Sequence, residues 1–465
     1  MMNTVKELNK MLENSEITAE ALVKESINTI RTHNPKLNAL GDLNHHAVIE
    51  AKALDLEQSL TGRRSLLHGI PILIKDNILT HDSMRTTVNA RAFKNFYAPY
   101  DATLVKKLRE AGAIILAKAS LSEFAYYMSN TTMPSGYGSL FKQVIHPYDK
   151  ALDPLGSSTG SAVGVAAGFA PISIGTETNG SLISPATANS IVSIKPTVGL
   201  VSRYGIFPVS SLQDTAGPMA QTVKDCAIGL DIIKGKDDHD AFTRMQPSEN
   251  ESYSEACEGS IKGLKIGLLN FKSHDAKDEE KALQQEAVRV LEAEGATVKN
   301  IIHPYDLPDN TKTLSPEFKR DMNVFLQTIR SHTDIHSLSD LINENFSTSK
   351  LNLKHGQGRF IEAQGADIRL HDEAYLNAKA QTEKSIDNFL TLFKTHDVDV
   401  LMTSKITGYA PVGGMPVITV PAKALTDKKP ISMVFIGKHF SEALLCNIAS
   451  SYEAKTAKRI PPKLN

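Results

Sequence analysis

Between residues 155 and 220, glycine, serine and threonine crowd two loops. The first reads Leu155-Gly-Ser-Ser-Thr-Gly-Ser161 and the second Gly175-Thr-Glu-Thr-Asn-Gly-Ser181, with Lys195-Pro-Thr197 close behind. Residues 161–170, between them, carry mostly tiny side chains and read as a helix that other backbone can approach closely. Glycines leave neighbouring amide N–H groups unobstructed and admit positive φ. Such loops suit a backbone that cradles an anion, for instance the oxyanion of an acyl transfer. A serine hydroxyl at the end of such a loop is a weak nucleophile that needs a base within hydrogen-bond reach. Composition alone is explained equally well by tight turns around a close-packed helix. Gly156-Ser-Ser-Thr-Gly160 also fits the G-x-S-x-G nucleophile elbow, with Ser158 as nucleophile. That motif needs a strand directly before it, and residues 149–155 read as loop. A phosphate loop is weaker still, because no G-x-x-x-x-G-K-[ST] string exists.

The candidate base is Lys75, which ends the apolar run Ile70-Pro-Ile-Leu-Ile74. A lysine acts as a base only when neutral. Its reference pKa of about 10.4 must fall several units for work near pH 7, at about 1.4 kcal/mol per unit. Burial at a strand end supplies a shift in that direction. Taken alone, Lys75 reads better as a strand-terminal lysine that reaches solvent or pairs with Asp76.

The elements around these residues follow from periodicity. Thr4-x-x-Glu7 is a capping box ahead of Val5, Leu8, Met11 and Leu12 on one helix face. A second helix starts near Thr18, carries Leu22, Val23, Ile27 and Ile30, and stops before Asn34-Pro35. Residues 70–74 read as a strand, 102–111 as a helix closed by Gly112, and 113–117 as the next strand. The rhythm returns with strand 264–269, a helix through Leu291 stopping at Gly295, and strand 297–302. It implies a largely parallel sheet covered on both faces. The polar stretch Lys236 to Glu258 reads as a long surface connection. Lys236-Asp-Asp-His-Asp240 within it reads as a solvated loop rather than a metal site. Residues 304–394 look mostly helical, with Ser315-Pro316 as a cap and first-turn proline, and 398–402 form a short buried strand.

Length and composition bound the class. A chain of 465 residues suits one large domain or two fused ones. Hydrophobic residues are 41% and charged residues 22%, enough for a sizeable core. Fifty-one basic and 52 acidic residues leave a net charge of −1, so nothing electrostatic points to nucleic acid or an anionic membrane. The three cysteines, 226, 257 and 446, form no C-x-x-C pair and suggest neither disulfides nor zinc, as fits a reducing cytoplasm. The start of the chain shows no basic-then-apolar leader, and no apolar run approaches the roughly 20 residues that span a bilayer.

Several strings, in order, resemble the amidase-signature family. Its pattern runs G-G-S-S-G-G-S, then G-T-D-x-G-G-S, then K-P-T, and the loops quoted above follow it. Gly69-x-Pro71-x-x-x-Lys75-Asp76, Ser122-Glu-Phe-Ala125, Ser202-Arg-Tyr-Gly205, Gln213-Asp-Thr-Ala-Gly-Pro218 and Gly414-x-Pro416-x-x-x-x-Pro421 extend the resemblance over residues 66–225 and 395–455. The stretch 240–390 matches only loosely.

The resemblance implies an α/β fold: a single α/β/α domain with a large mixed central sheet. It would span residues 66–465, with a helical segment 1–65 packed on it and a variable helical region at about 300–394. It implies a Ser–cis-Ser–Lys triad, with Ser181 acylated, Ser157 bridging in a cis peptide and Lys75 as base. The amides of Thr178, Asn179, Gly180 and Ser181 would form the oxyanion hole. Ser158, Thr159, Tyr127, Ser129 and Asp214 are candidate pocket residues, the loop 403–415 and the region 300–390 would shape the pocket, and His68 is a histidine to watch. No metal and no cofactor is expected. Leu155, Thr159 and Asn179 depart from glycines of the pattern. Asn179 tolerates a left-handed backbone, whereas Thr159 does not.

The expected activity is hydrolysis of a small-molecule or peptide C-terminal amide through a seryl acyl-enzyme, by a monomer or homodimer. The likeness is strongest to peptide-amidase-like members. One alternative is the amidase-type component of a glutamine-dependent tRNA amidotransferase complex, against which the short 403–415 stretch argues. The other is an inactive binding protein of the same fold, against which retention of Lys75, Ser157 and Ser181 argues.

Overall fold

The computed structural model describes residues 3–464 apart from 132, 248–250, 273–275, 304–309, 368, 370–371 and 425–429. The chain opens with the expected capping box. Thr4 accepts from the Glu7 N–H, and Glu7 accepts from the Thr4 N–H at 2.8 Å, at the head of α1 (Val5–Glu13). Helix α2 (Ala19–Leu37) runs past Pro35 instead of stopping before it. A proline so near the end forfeits one N–H bond. Tertiary bonds fix that end: the Asn34 side chain bonds both N–H and C=O of Leu40, at 3.0 and 3.1 Å. Val5, Leu8, Leu12 and Leu22 of these helices pack with Leu67, Ile70 and Ile72. His68 is buried there, its Nε2 3.0 Å from the Leu54 carbonyl, well away from the serine loops in its bonding. Helix α3 (Ala47–Thr61) completes this layer.

Among the described residues eleven strands form one mixed sheet. They are β1 (Leu40–Leu43), β2 (Pro71–Lys75), β3 (Ile114–Ala119), β4 (Ile172–Glu177), β5 (Val192–Lys195), β6 (Thr215–Ala220), β7 (Lys265–Phe271), β8 (Thr297–His303), β9 (Val400–Thr403), β10 (Val417–Ala424) and β11 (Pro430–Ile436). Their order is β1-β3-β2-β4-β6-β5-β10-β11-β9-β7-β8. The strand–helix–strand rhythm marks the two flanks, where β2 runs parallel to β3 and β4, and β7 to β8 and β9. The middle, β4-β6-β5-β10-β11, is antiparallel, so "largely parallel" is corrected to mixed. Periodicity missed this because β5 and β6 are short and lie among glycines and serines. Every residue of β2, β3 and β4 is buried, as strands covered on both faces must be.

Register positions the chemistry. Ile74 pairs with Ile174, so Lys75 at the end of β2 stands level with Gly175, one residue before Thr176 on β4. Both strands end at the same sheet edge, where the loops 155–158 and 178–181 lie. Helix α4 (Thr103–Glu110) follows between β2 and β3 and is closed by Gly112, φ 83°. Helix α5 (Thr159–Ala166) is buried throughout. A Cβ on its Gly160 would fall 2.1 Å from the Ala39 carbonyl oxygen, which is why the segment is built of tiny residues. Helix α6 (Ile183–Ala188) follows the second loop.

Helices α7 (Thr311–Thr328), α8 (Leu338–Ser347) and α9 (Gly358–Gly365) form a separate apolar cluster over the site, joining Phe318 and Phe325 to Phe124 and Phe207. The start expected at Ser315-Pro316 is corrected: α7 begins at Thr311, and Pro316 sits inside it. Ser315 bonds Tyr127 Oη at 3.3 Å instead of capping. The first part of the stretch taken as helical, 304–309, lies outside the described residues. The stretch Lys236–Glu258, read as a surface connection, folds back onto the protein, with residues 248–250 outside the described set. Asp240 accepts from the Arg203 backbone N–H, Nε and Nη2 at 2.9, 2.7 and 2.6 Å, and Thr243 and Tyr253 are buried. Asp240, Thr243 and Gln246 turn inward while Asp238 and Arg244 stay exposed, a division that a polarity profile cannot see. Among the described residues no helix is long and apolar enough to cross a membrane, and all three cysteines are free and buried.

Candidate active site

Lys75 is fully buried. Its Nζ donates to Ser157 Oγ at 2.9 Å, to Thr176 Oγ1 at 2.8 Å and to the Thr176 carbonyl at 3.1 Å. Burial brings its pKa down from 10.5 to about 7, while the carboxylates of Asp214 and Glu177 pull upward. Asp76 is not its partner. That carboxylate accepts from Thr87 N–H and Oγ1 and lies 3.9 Å from Lys118, also buried. The Gly156–Ser157 peptide is cis.

Ser157 and Ser181 line one cavity of about 520 Å³, together with Thr178, Asn179, Tyr127 and Arg359. The turn 178–181 is held from below. Glu177, buried at the end of β4, accepts the N–H groups of Leu182 and Ile183 at 2.7 and 3.1 Å. Among the described residues no hydrogen bond is donated by the backbone N–H of Thr178, Asn179, Gly180 or Ser181. Thr178, Asn179 and Ser181 of this turn line the cavity, and an oxyanion site needs such unengaged donors. Removing the brace should be costly. Glu177→Ala is expected to destabilise the fold by roughly 2–4 kcal/mol, the worth of charged bonds to two buried amides, measured by urea unfolding.

The departures from glycine resolve residue by residue. The left-handed position in the turn is Gly180, φ 81°, and neither Asn179 nor Thr159 has a positive φ. The anticipated demand on those two side chains is therefore absent. Thr159 is the first residue of α5, and its Oγ1 donates to the Leu155 carbonyl at 2.7 Å. Leu155 itself carries the positive φ, 53°.

Other candidates divide. Ser158 lies beneath the site, donating to the Thr176 carbonyl at 2.9 Å and accepting from the Thr176 N–H at 3.2 Å, so its hydroxyl is committed to structure. Asp214 accepts from Thr178 Oγ1 at 2.5 Å and from the N–H groups of Val209 and Ser210 at 2.7 and 3.0 Å. It ties the turn to the next loop rather than lining the Ser181 cavity. Ser129 is not in that cavity either; it donates to the His355 carbonyl at 2.5 Å. The loop 403–415 packs Ile406, Ala410 and Pro411 against Glu177 and Ile183, under the turn, while Asn310, Leu314 and Arg359 of the region 300–390 do line the cavity. Sequence reasoning missed Thr176, Asn77 and Glu177 as partners of the site. Their signal was their place in strings already quoted: Glu177 and Thr176 precede the turn, and Asn77 follows Lys75-Asp76.

Comparison with known proteins identifies the family. The family model for amidases matches residues 21–411. A protein of Arabidopsis thaliana described as a probable amidase is 34% identical, covering 99% of this chain and 91% of its own length. A component of the glutamyl-tRNA(Gln) amidotransferase of Staphylococcus saprophyticus is 32% identical over 97% of each chain. Among solved structures, the peptide amidase of Stenotrophomonas maltophilia superposes with a TM-score of 0.93 at 34% identity, covering 100% of this chain and 99% of the other. The chain belongs to the amidase family and is a hydrolase of amide C–N bonds.

Proposed function

We propose that this amidase hydrolyses carboxamides, C-terminal peptide amides among them, through an ester on Ser181. The observation that carries the reading is a buried amine with a pKa of about 7 bonded to Ser157 in the cavity that Ser181 shares. In this reading neutral Lys75 accepts a proton from Ser157, which takes one from Ser181 as its Oγ bonds to the carbonyl carbon. The amides of 178–181 receive the oxyanion. The proton returns through Ser157 to the leaving nitrogen as the C–N bond breaks. Water then attacks the ester by the same relay, releasing the acid. The segment 1–65 is taken as a layer of three helices on the domain 66–465 that also lends the sheet its edge strand β1.

The likeness to a peptide amidase supports the peptide-amide substrate, because it extends over the whole of both chains. The amidotransferase reading has sequence similarity but a looser superposition, a TM-score of 0.73 to the corresponding Thermotoga maritima protein. Ammonia release from an N-acetyl dipeptide amide, an aryl acylamide, a fatty amide and glutamine tests the choice. The peptide amide is expected to give the highest kcat/KM, and glutamine as the preferred substrate would refute it.

Asp214 supplies a second prediction. Burial raises its carboxyl to about 6, against the bonds from Thr178 and the backbone. Its charge supports protonated Lys75. In Asp214→Asn the acid limb of the pH–rate profile should move to lower pH, because the amine sheds its proton more easily. With one of the two acceptor oxygens of Asp214 replaced by an NH2 group, the tie between Thr178 and the amides of Val209 and Ser210 loosens, which should lower kcat by about tenfold.

A further inference from the structure

A second cavity of about 360 Å³ adjoins the first. Ala125, Thr178 and Val209 line both. The carboxylates on its wall are already engaged: Asp214 with Thr178, Asp240 with Arg203, and Asp321 with the Ser211 N–H at 2.6 Å. Thr176, Thr215 and Thr328 also line it, and the larger part of the wall is apolar and aromatic. Ile206, Phe207, Val209 and Phe325 contribute their side chains, and Tyr204 stacks between Tyr100 and His239, with ring centroids 5.0 and 4.3 Å away. The chamber reaches the surface at Val324, 64% exposed on α7.

Two observations tie this chamber to a ligand. Asn77, 2% exposed, lines it; its Nδ2 donates to Thr176 Oγ1 at 3.0 Å, and its Oδ1 has no partner. A buried acceptor left unpaired costs about 1–3 kcal/mol, a cost that an incoming N–H would remove. The shared wall is also built under constraint. Phe124, Ala125 and Tyr126 all have positive φ, 49°, 52° and 76°. Left-handed backbone costs an L-residue about 1–2 kcal/mol and persists where surroundings fix it. Glu123 does so by accepting from Ser139 N–H and Oγ at 3.0 and 2.6 Å. The result puts only a methyl group, that of Ala125, on this wall.

We infer that the chamber is the subsite for an apolar, preferably aromatic, side chain on the acyl part of the substrate, reached past Ala125, with Asn77 Oδ1 accepting an N–H of the same molecule. The inference rests on Ser181 being the acylated residue. Calorimetric titration of the Ser181→Ala protein with N-acetyl-phenylalaninamide and N-acetyl-glycinamide tests it without turnover. The phenyl compound should bind at least about tenfold tighter, as burial of an aromatic side chain implies. In turnover by the protein with Ser181 intact, the ratio of kcat/KM for the two amides should fall by about tenfold in Val324→Trp, which fills the chamber from its rim. Equal affinities, or an unchanged ratio, would overturn the subsite while hydrolysis remains Ser181-dependent. Hydrolysis that survives in Ser181→Ala would instead overturn the reading beneath it.

Discussion

Ser181→Ala is expected to lower kcat by at least about 10⁴-fold on every amide the protein cleaves, with binding retained. When residues act as one unit, removal of the nucleophile alone costs most of what the unit supplies. The substitution takes one oxygen from a residue 8% exposed on the cavity wall, while the turn around it stays braced by Glu177. Unfolding midpoints should therefore match those of the unsubstituted protein. Progress curves for ammonia release, with thermal melts of the same samples, check both halves. A loss confined to tenfold would mean that another group carries the attack.

Lys75→Met is expected to abolish activity and raise stability together. The base must be neutral, so kcat/KM in the native sequence should climb as pH passes about 7 and level off above it. A positioned base contributes about 10²–10⁴-fold, and the variant should lose at least that much along with the pH-dependent limb. The stability sign follows from linkage. Between about 7 and 10.5 the unfolded lysine carries a proton that the folded one lacks, so stability rises with pH across that window. At pH 7 the shift corresponds to roughly 3–5 kcal/mol of burial cost, part of which is offset by the bonds to Ser157 and Thr176. Methionine removes the cost. The gain in melting temperature should be largest at pH 7 and shrink toward pH 10. Equal gains at both pH values would show that Lys75 is charged when folded.

Much of the frame could be read from residues. The run Ile70–Ile74, the helix before Gly112 and the strand after it alternate at lengths that leave little choice, and the structure has them. The capping box at Thr4 is a local bond pattern, fully written in four residues. What escaped depends on distant partners. Helix α2 outlasts Pro35 because Asn34 bonds Leu40, and polar 236–258 folds inward because Arg203 waits for Asp240. The same holds at the site. The strings carrying Lys75, Ser157 and Ser181 were visible as strings. Asp214 lay in an equally suggestive one and Ser129 just beyond another, yet their side chains turn to Thr178 and to His355. Two of the departures from glycine misled because identity was judged without φ: Thr159 and Asn179 need no left-handed backbone, whereas Leu155, which has one, stands where the pattern has a glycine.

Fluorophosphonate labelling followed by peptide mass mapping puts the Ser181–Lys75 chemistry to the plainest trial, because the reagent phosphonylates a serine only where a base and an oxyanion site act on it. One adduct is expected, on Ser181, formed faster as pH rises through about 7 and absent from Lys75→Met. An adduct on Ser157 or Ser158 with Ser181 unmodified, or undiminished labelling without Lys75, would contradict it.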